Sequence, residues 1–168
     1  VRNAKRVVAI LLLSGYAVAQ STRDASLFSV TKSENRNEVI YAIRLDAHCA
    51  PIGEAPVYAF WRMNERGGTS EPLLHREEAA YGIHTQRVLA HDADGGAVDV
   101  TLRALPSRHI MVRARRHDAT CETTSTLVIA GAQASLTNID VKLKPFGVDY
   151  IVVSGRTTNS VVREKIQP

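Results

Sequence analysis

The chain lacks every strong compositional bias. Ten glycines and six prolines in 168 residues are too few for a collagen-like protein, and 45% hydrophobic against 23% charged residues is too apolar for a disordered one. Long hydrophobic runs are missing. The uninterrupted run Val7 to Leu13 falls far short of the about 20 residues that a membrane-spanning helix needs. There is no G-x-G-x-x-G, no Walker-type loop, no G-x-S-x-G and no H-E-x-x-H. Those absences remove the common nucleotide enzymes, serine hydrolases and zinc proteases from the leading readings. No internal repeat or low-complexity tract appears, and the two cysteines form no C-x-x-C pair.

What is present begins with an address. Arg2, Lys5 and Arg6 precede the apolar run, and Ser14, Gly15 and Tyr16 lead to Ala17, Val18, Ala19 and Gln20. A basic n-region, a short apolar h-region and an A-x-A site predict a signal peptide over residues 1–19, cleaved after Ala19. No cysteine follows that site, which disfavours a lipid anchor. The whole chain carries 21 basic and 17 acidic residues, a net charge of +4. Cleavage removes three basic residues and no acidic one, leaving 149 residues at +1. A nucleic-acid partner thereby loses its main support, and no membrane span remains. The expected location is the periplasm or the extracellular space. The expected partner is a small molecule, a peptide or an envelope protein. In such an oxidising compartment Cys49 and Cys121 are expected to pair. Their bridge would close a loop of roughly 70 residues and stabilise the fold by about 4 kcal/mol on the chain-entropy argument.

Alternation dominates the mature chain. Val39, Tyr41, Ile43 and Leu45 fall at period two, as do Val57, Ala59, Trp61 and Met63. Val98, Val100 and Leu102 repeat the pattern, as do Ile110, Val112 and Ala114, and further runs span 123–130, 136–143 and 148–153. Half-buried strands have this signature. Turn residues separate them, among them Asn35 to Asn37, Asp92 to Gly96, Pro106-Ser107 and Pro145 to Gly147. The fold expected is mainly β: one antiparallel sandwich or barrel of about eight to nine strands over residues 20–155, with residues 156–168 a tail or edge strand. A three-residue loop Leu105 to Ser107 would set Leu102 against Ile110, Val100 against Val112 and Val98 against Ala114. It would also oppose Asp99 to Arg113 and Arg103 to His109. One short helix is expected after Ser70 as N-cap, with Pro72 in the first turn and a left-handed Gly82 at its end. Its apolar stripe would be Leu73, Leu74, Ala80 and Tyr81, with Glu77 inside it.

Three segments resemble a known pattern. The stretch Leu27 to Tyr41, LFSVTKSENRNEVIY, the strand Val57 to Trp61, and Glu77 through Ala80-Tyr81-Gly82-Ile83 are similar to an exported bacterial family catalogued as domain of unknown function 4833. The resemblance implies a compact single domain and brings no catalytic residues. In the residues' own terms, Asn35 and Asn37 suit left-handed turn positions, Trp61 offers core area, and Tyr81 anchors the helix end.

Few residues point to chemistry. None of the six histidines shares a strand or helix face at ligand spacing, so no metal and no cofactor is expected. The D-x-D-G fragment at Asp92 to Gly95 lacks the later ligands of a calcium loop and reads as a hairpin turn. Arg113, Arg115, Arg116 and His117, with Arg103 nearby, form the clearest basic cluster. Guanidinium forks match carboxylates and phosphates, which makes Arg103, His109, Arg113 and Arg115 candidate ligand-binding residues. The competing reading is a solvated sheet face. Glu77 is the candidate catalytic carboxylate, because desolvation in the helix stripe would raise its pKa. A salt bridge or a capped backbone group is the plainer role for it. A non-enzymatic binding or interaction module leads these readings. A hydrolase-like enzyme using Glu77 beside the Arg/His cluster is one alternative, and a structural component of a surface assembly is another.

Overall fold

Period-two burial makes strands, and strands need neighbours for their backbone groups. The computed structural model of the protein describes residues 22–32, 36–145 and 147–167. The expected signal segment 1–19, the turn position Asn35 and Phe146 lie outside the described residues. In chain order come β1(Arg23–Lys32), β2(Glu38–Leu45), β3(Val57–Met63), a 3-10 turn at Asn64–Arg66, β4(Thr69–Pro72), α1(His75–Tyr81), β5(Ile83–Asp92) and β6(Gly95–Leu102). They are followed by β7(Leu105–His117), β8(Thr120–Ile129), β9(Ala132–Lys144), β10(Gly147–Arg156) and β11(Val161–Ile166).

The protein is mainly β with one helix, as expected, but its strand arrangement is different. Eleven strands form one open sheet in the order β4-β3-β2-β1-β9-β8-β7-β6-β5, with β10 on β9 and β11 on β10. The sheet is neither a closed barrel nor wholly antiparallel, because β1 and β9 run parallel. Strand β9 is the fork. Its residues 132–135 pair with β8, residues 138–141 pair with β1, and β10 takes its other edge. A register shift against β10 at Thr137 marks the point where β8 leaves and β1 joins. It also changes which positions face inward, from Ala134 and Leu136 to Ile139 and Val141. Both arms, β1 to β4 and β5 to β8, contribute to one hydrophobic cluster that includes Phe28, Tyr41, Trp61, Leu102, Ile110 and Leu127.

Three strands, β1, β4 and β5, escaped the alternation reading for physical reasons, while β11 is the edge strand that residues 156–168 allow. Strand β5 carries irregularities between Ile83 and Thr85 and between Val88 and Ala90, and β1 carries one between Ser26 and Phe28. Each extra residue inverts the inside–outside pattern. Strands β4 and β11 lie at the margins of the sheet, where one-sided burial weakens the signal.

The β6–β7 hairpin keeps the expected faces and slides by two residues. Val98 opposes Val112, Val100 opposes Ile110, and Leu102 meets Leu105. The turn is Arg103-Ala104, while Pro106 lies inside β7. A shift of two preserves parity, so the buried set is unchanged and the polar partners move. Asp99 now faces Met111 and Arg113 faces Ala97, in place of the expected Asp99–Arg113 and Arg103–His109 pairs.

The helix is shorter than expected. Ser70 and Pro72 belong to β4, paired with β3, and the N-cap position is Leu74. Gly67 and Gly68, both left-handed, turn the chain back after Asn64–Arg66. Pro72 is tolerated there because β4 is an edge. Gly82 is not left-handed (φ −66°). It is needed for close approach instead, since a Cβ there would lie 2.4 Å from the Glu78 carbonyl oxygen. Asn37 is buried, and its Oδ1 accepts a bond from the Glu65 amide at 3.3 Å. It therefore fastens the start of β2 to the 3-10 turn. Cys49 and Cys121 are bonded, with Cα atoms 5.4 Å apart. They join the loop after β2 to β8, and so one arm to the other.

Candidate functional site

The sequence candidates are distributed over three depressions. The largest, about 540 Å³, lies on the outer face of β5, β6 and β7. Its floor is low because β6 starts with Gly95 and reaches Ala97 with no long outward side chain. Leu89 and Asp92 of β5 and Asp94 of the β5–β6 turn stand on one side. Met111, Arg113 and Arg115 of β7 stand on the other. Arg113 and Arg115 alternate on one strand face, so their side chains leave the sheet about 7 Å apart. Neither guanidinium makes a hydrogen bond or an ion pair with the described residues. The D-x-D-G fragment is the hairpin turn expected of it: Asp92 pairs with Gly95, and the Asp94 carbonyl accepts the Arg116 amide at 2.8 Å.

Near the same face, the imidazole Nδ1 of His109 lies 3.0 Å from both carboxylate oxygens of Asp99, with Arg87 at 4.0 Å from that carboxylate. Asp99 is thus spent on His109 and Arg87 and leaves Arg113 available. Arg103 is elsewhere. It lines a separate depression of about 280 Å³ with Tyr58, Leu73 and Glu78, where its amide donates to the Gly82 carbonyl at 3.0 Å.

Glu77 lines a third depression, a cleft of about 320 Å³ between α1 and the β3–β4 hairpin. Its Oε2 accepts the Leu74 amide at 2.8 Å, which is a helix-capping role. Glu71 and Asn37 share the cleft with Trp61, Met63, Pro72 and Leu74. The structure therefore does not unite Glu77 with the arginines or with His109. Among the described residues no group of three or more His, Cys, Asp or Glu side chains is placed to hold a metal ion. No described helix is long and apolar enough to cross a membrane.

Two features were missed from sequence. The glycine-alanine floor of the groove was read only as a turn, although two glycines running into an alternating strand signal an empty outer face. The Trp61 cleft depends on β4, whose Ser70 to Pro72 the sequence pattern assigns to the start of the helix.

No curated protein and no solved structure matches the chain significantly. A family described as a domain of unknown function, DUF4833, matches residues 28–165, most of the chain. That is the family which the Leu27–Tyr41, Val57–Trp61 and Glu77–Ile83 segments resemble. The chain belongs to the DUF4833 family.

Proposed function

We propose that this protein is an exported, non-enzymatic binding module whose ligand lies in the groove over β5, β6 and β7. The observation that carries the reading is the pair Arg113 and Arg115, two guanidiniums without hydrogen-bond or ion-pair partners among the described residues, beside an open floor of about 540 Å³. Each fork suits a carboxylate or phosphate oxygen pair. Asp92 and Asp94 across the groove suit hydrogen-bond donors. The ligand class is therefore an acidic molecule that also carries hydroxyl, amide or amine groups. Export is supported by the residue pattern of the first nineteen positions and by the Cys49–Cys121 bond, since disulfides persist in oxidising compartments.

The test is native mass spectrometry of the protein recovered from its own periplasm or medium, beside an Arg113→Gln/Arg115→Gln variant. Exposed substitutions of this kind change stability by about 0.5 kcal/mol or less, so the variant should fold. A mass adduct with acidic character is expected on the wild type and not on the variant. Bare wild-type protein, or an adduct that the variant keeps, would overturn the reading.

A further inference from the structure

We propose that the cleft between α1 and the β3–β4 hairpin is a second, separate binding site, for a primary organic ammonium ion with an apolar body. The cleft's volume, about 320 Å³, is at the small end of the range for ligand pockets. Its walls are chemically divided. Trp61, Met63, Pro72 and Leu74 supply an apolar surface, and Glu71 and Glu77 supply carboxylates. Leu74 lines the cleft and is 57% exposed, so a ligand seated there can cover its side chain.

Charge fixes the rest of the ligand. Among the described residues no Lys, Arg or His lines the cleft. Arg66 reaches Glu71 at 2.9 Å and engages its Oε1 alone, and the Leu74 amide engages Oε2 of Glu77. Among the described residues, one oxygen of each carboxylate is left to accept from a ligand. An anion would be repelled by Glu77, and Glu71, already paired with Arg66, offers it nothing. A neutral apolar molecule would strip water from them without compensation. An organic cation satisfies them, and the indole of Trp61 adds the attraction of an aromatic ring for a cation. Two waiting acceptors favour a group that carries N–H bonds over a quaternary one, which has none to donate.

Trp61 is the chain's single tryptophan, so its fluorescence reports on this cleft alone. The probes are phenethylamine, its neutral isostere 2-phenylethanol, phenylacetate, and the quaternary benzyltrimethylammonium. Phenethylamine should give a saturable change, with benzyltrimethylammonium at least threefold weaker and the other two at least tenfold weaker. Glu77→Gln should raise the phenethylamine Kd at least tenfold. Glutamine at this position still accepts the Leu74 amide, so the helix keeps its cap. Glu78→Gln removes the same charge one residue away, outside the cleft, and should change the Kd less than twofold. Leu74→Ser, at an exposed site that does not threaten folding, should weaken binding at least threefold. The proposal is overturned if no probe gives a saturable change, if phenylacetate or 2-phenylethanol binds as tightly as the amine, or if Glu77→Gln and Glu78→Gln act alike. None of these outcomes involves Arg113 or Arg115, so the groove and the cleft stand or fall separately.

Discussion

Gln86 behaves as a piece of backbone. Its Oε1 accepts the Val57 amide at 2.9 Å and its Nε2 donates to the Val57 carbonyl at 3.0 Å. Val57 opens β3 outside the stretch Phe60 to Met63 that β4 covers, so both groups lie at an uncovered margin. One side chain of β5 thus completes the hydrogen bonding of β3 in the other arm. Gln86→Leu should remove both bonds and leave two partly buried backbone groups unsatisfied. Each such group costs about 1–3 kcal/mol, partly relieved here by water. We expect a loss of about 2 kcal/mol in urea unfolding, read as a lower midpoint with an unchanged slope. An unchanged midpoint would mean that the amide pairing contributes nothing. Tyr41 makes a similar cross-tie, its hydroxyl donating to the Tyr81 carbonyl. Burial, with a smaller contribution from Tyr81, holds its phenol far above the ordinary range, so it stays protonated and able to donate.

At the scale of elements, β11 shows how a charged edge strand is fastened. Glu164 pairs with Arg108 of β7 and accepts the Ala130 amide at 2.8 Å in the β8–β9 turn. The bond from Ala130, then the Arg108 guanidinium, holds the Glu164 carboxyl below its usual range, against a partial opposing effect of burial. A carboxyl whose folded pKa is depressed stabilises the fold above its unfolded pKa and loses that contribution as pH falls through the folded value. Glu164→Gln should therefore cost about 1 kcal/mol at neutral pH, a partly exposed pair being worth no more. The gap between variant and wild type should narrow as pH falls below the ordinary glutamate range and through the depressed folded value. Thermal unfolding across that range checks it, and a gap independent of pH would show that the pairing is not electrostatic.

How much of each element could be read in advance follows from the same physics. The buried faces of β3, β6 and β7 are the expected ones, whereas β2 also buries Ile40 and Ala42 on its opposite face. The hairpin register was two residues off because parity constrains faces and not partners. Strand β5 was illegible because its two irregularities invert the pattern within ten residues. The β1–β9 pairing joins segments about a hundred residues apart, and no local signal carries that. Arg113 and Arg115 were legible as a shared face. That Arg113 has no partner among the described residues follows from the register, which sets it opposite Ala97 while Asp99 takes His109 and Arg87, a tertiary outcome.

For the whole molecule, the question is whether a sheet that forks at β9 is one cooperative body. The arms share a core, and cross-ties that include the Gln86–Val57 pairing, the Tyr41–Tyr81 bond and the Cys49–Cys121 bridge hold them together. The bridge spans 72 residues of sequence, a loop long enough for its closure to stabilise the fold by about 4 kcal/mol on the entropy model. The shared core is independent of that covalent tie. A Cys49→Ala/Cys121→Ala variant should therefore lose about 4 kcal/mol and still unfold in one step, unless the remaining stability is too small to keep it folded. Trp61 reports on the β1 to β4 arm, while far-ultraviolet circular dichroism reports on all the strands. Their urea transitions should coincide in the wild type and, at a lower midpoint, in the variant. Should the tryptophan transition separate from the circular dichroism once the bridge is gone, the arms are distinct folding units. The disulfide would then be what joins them, rather than a reinforcement of a core that already does.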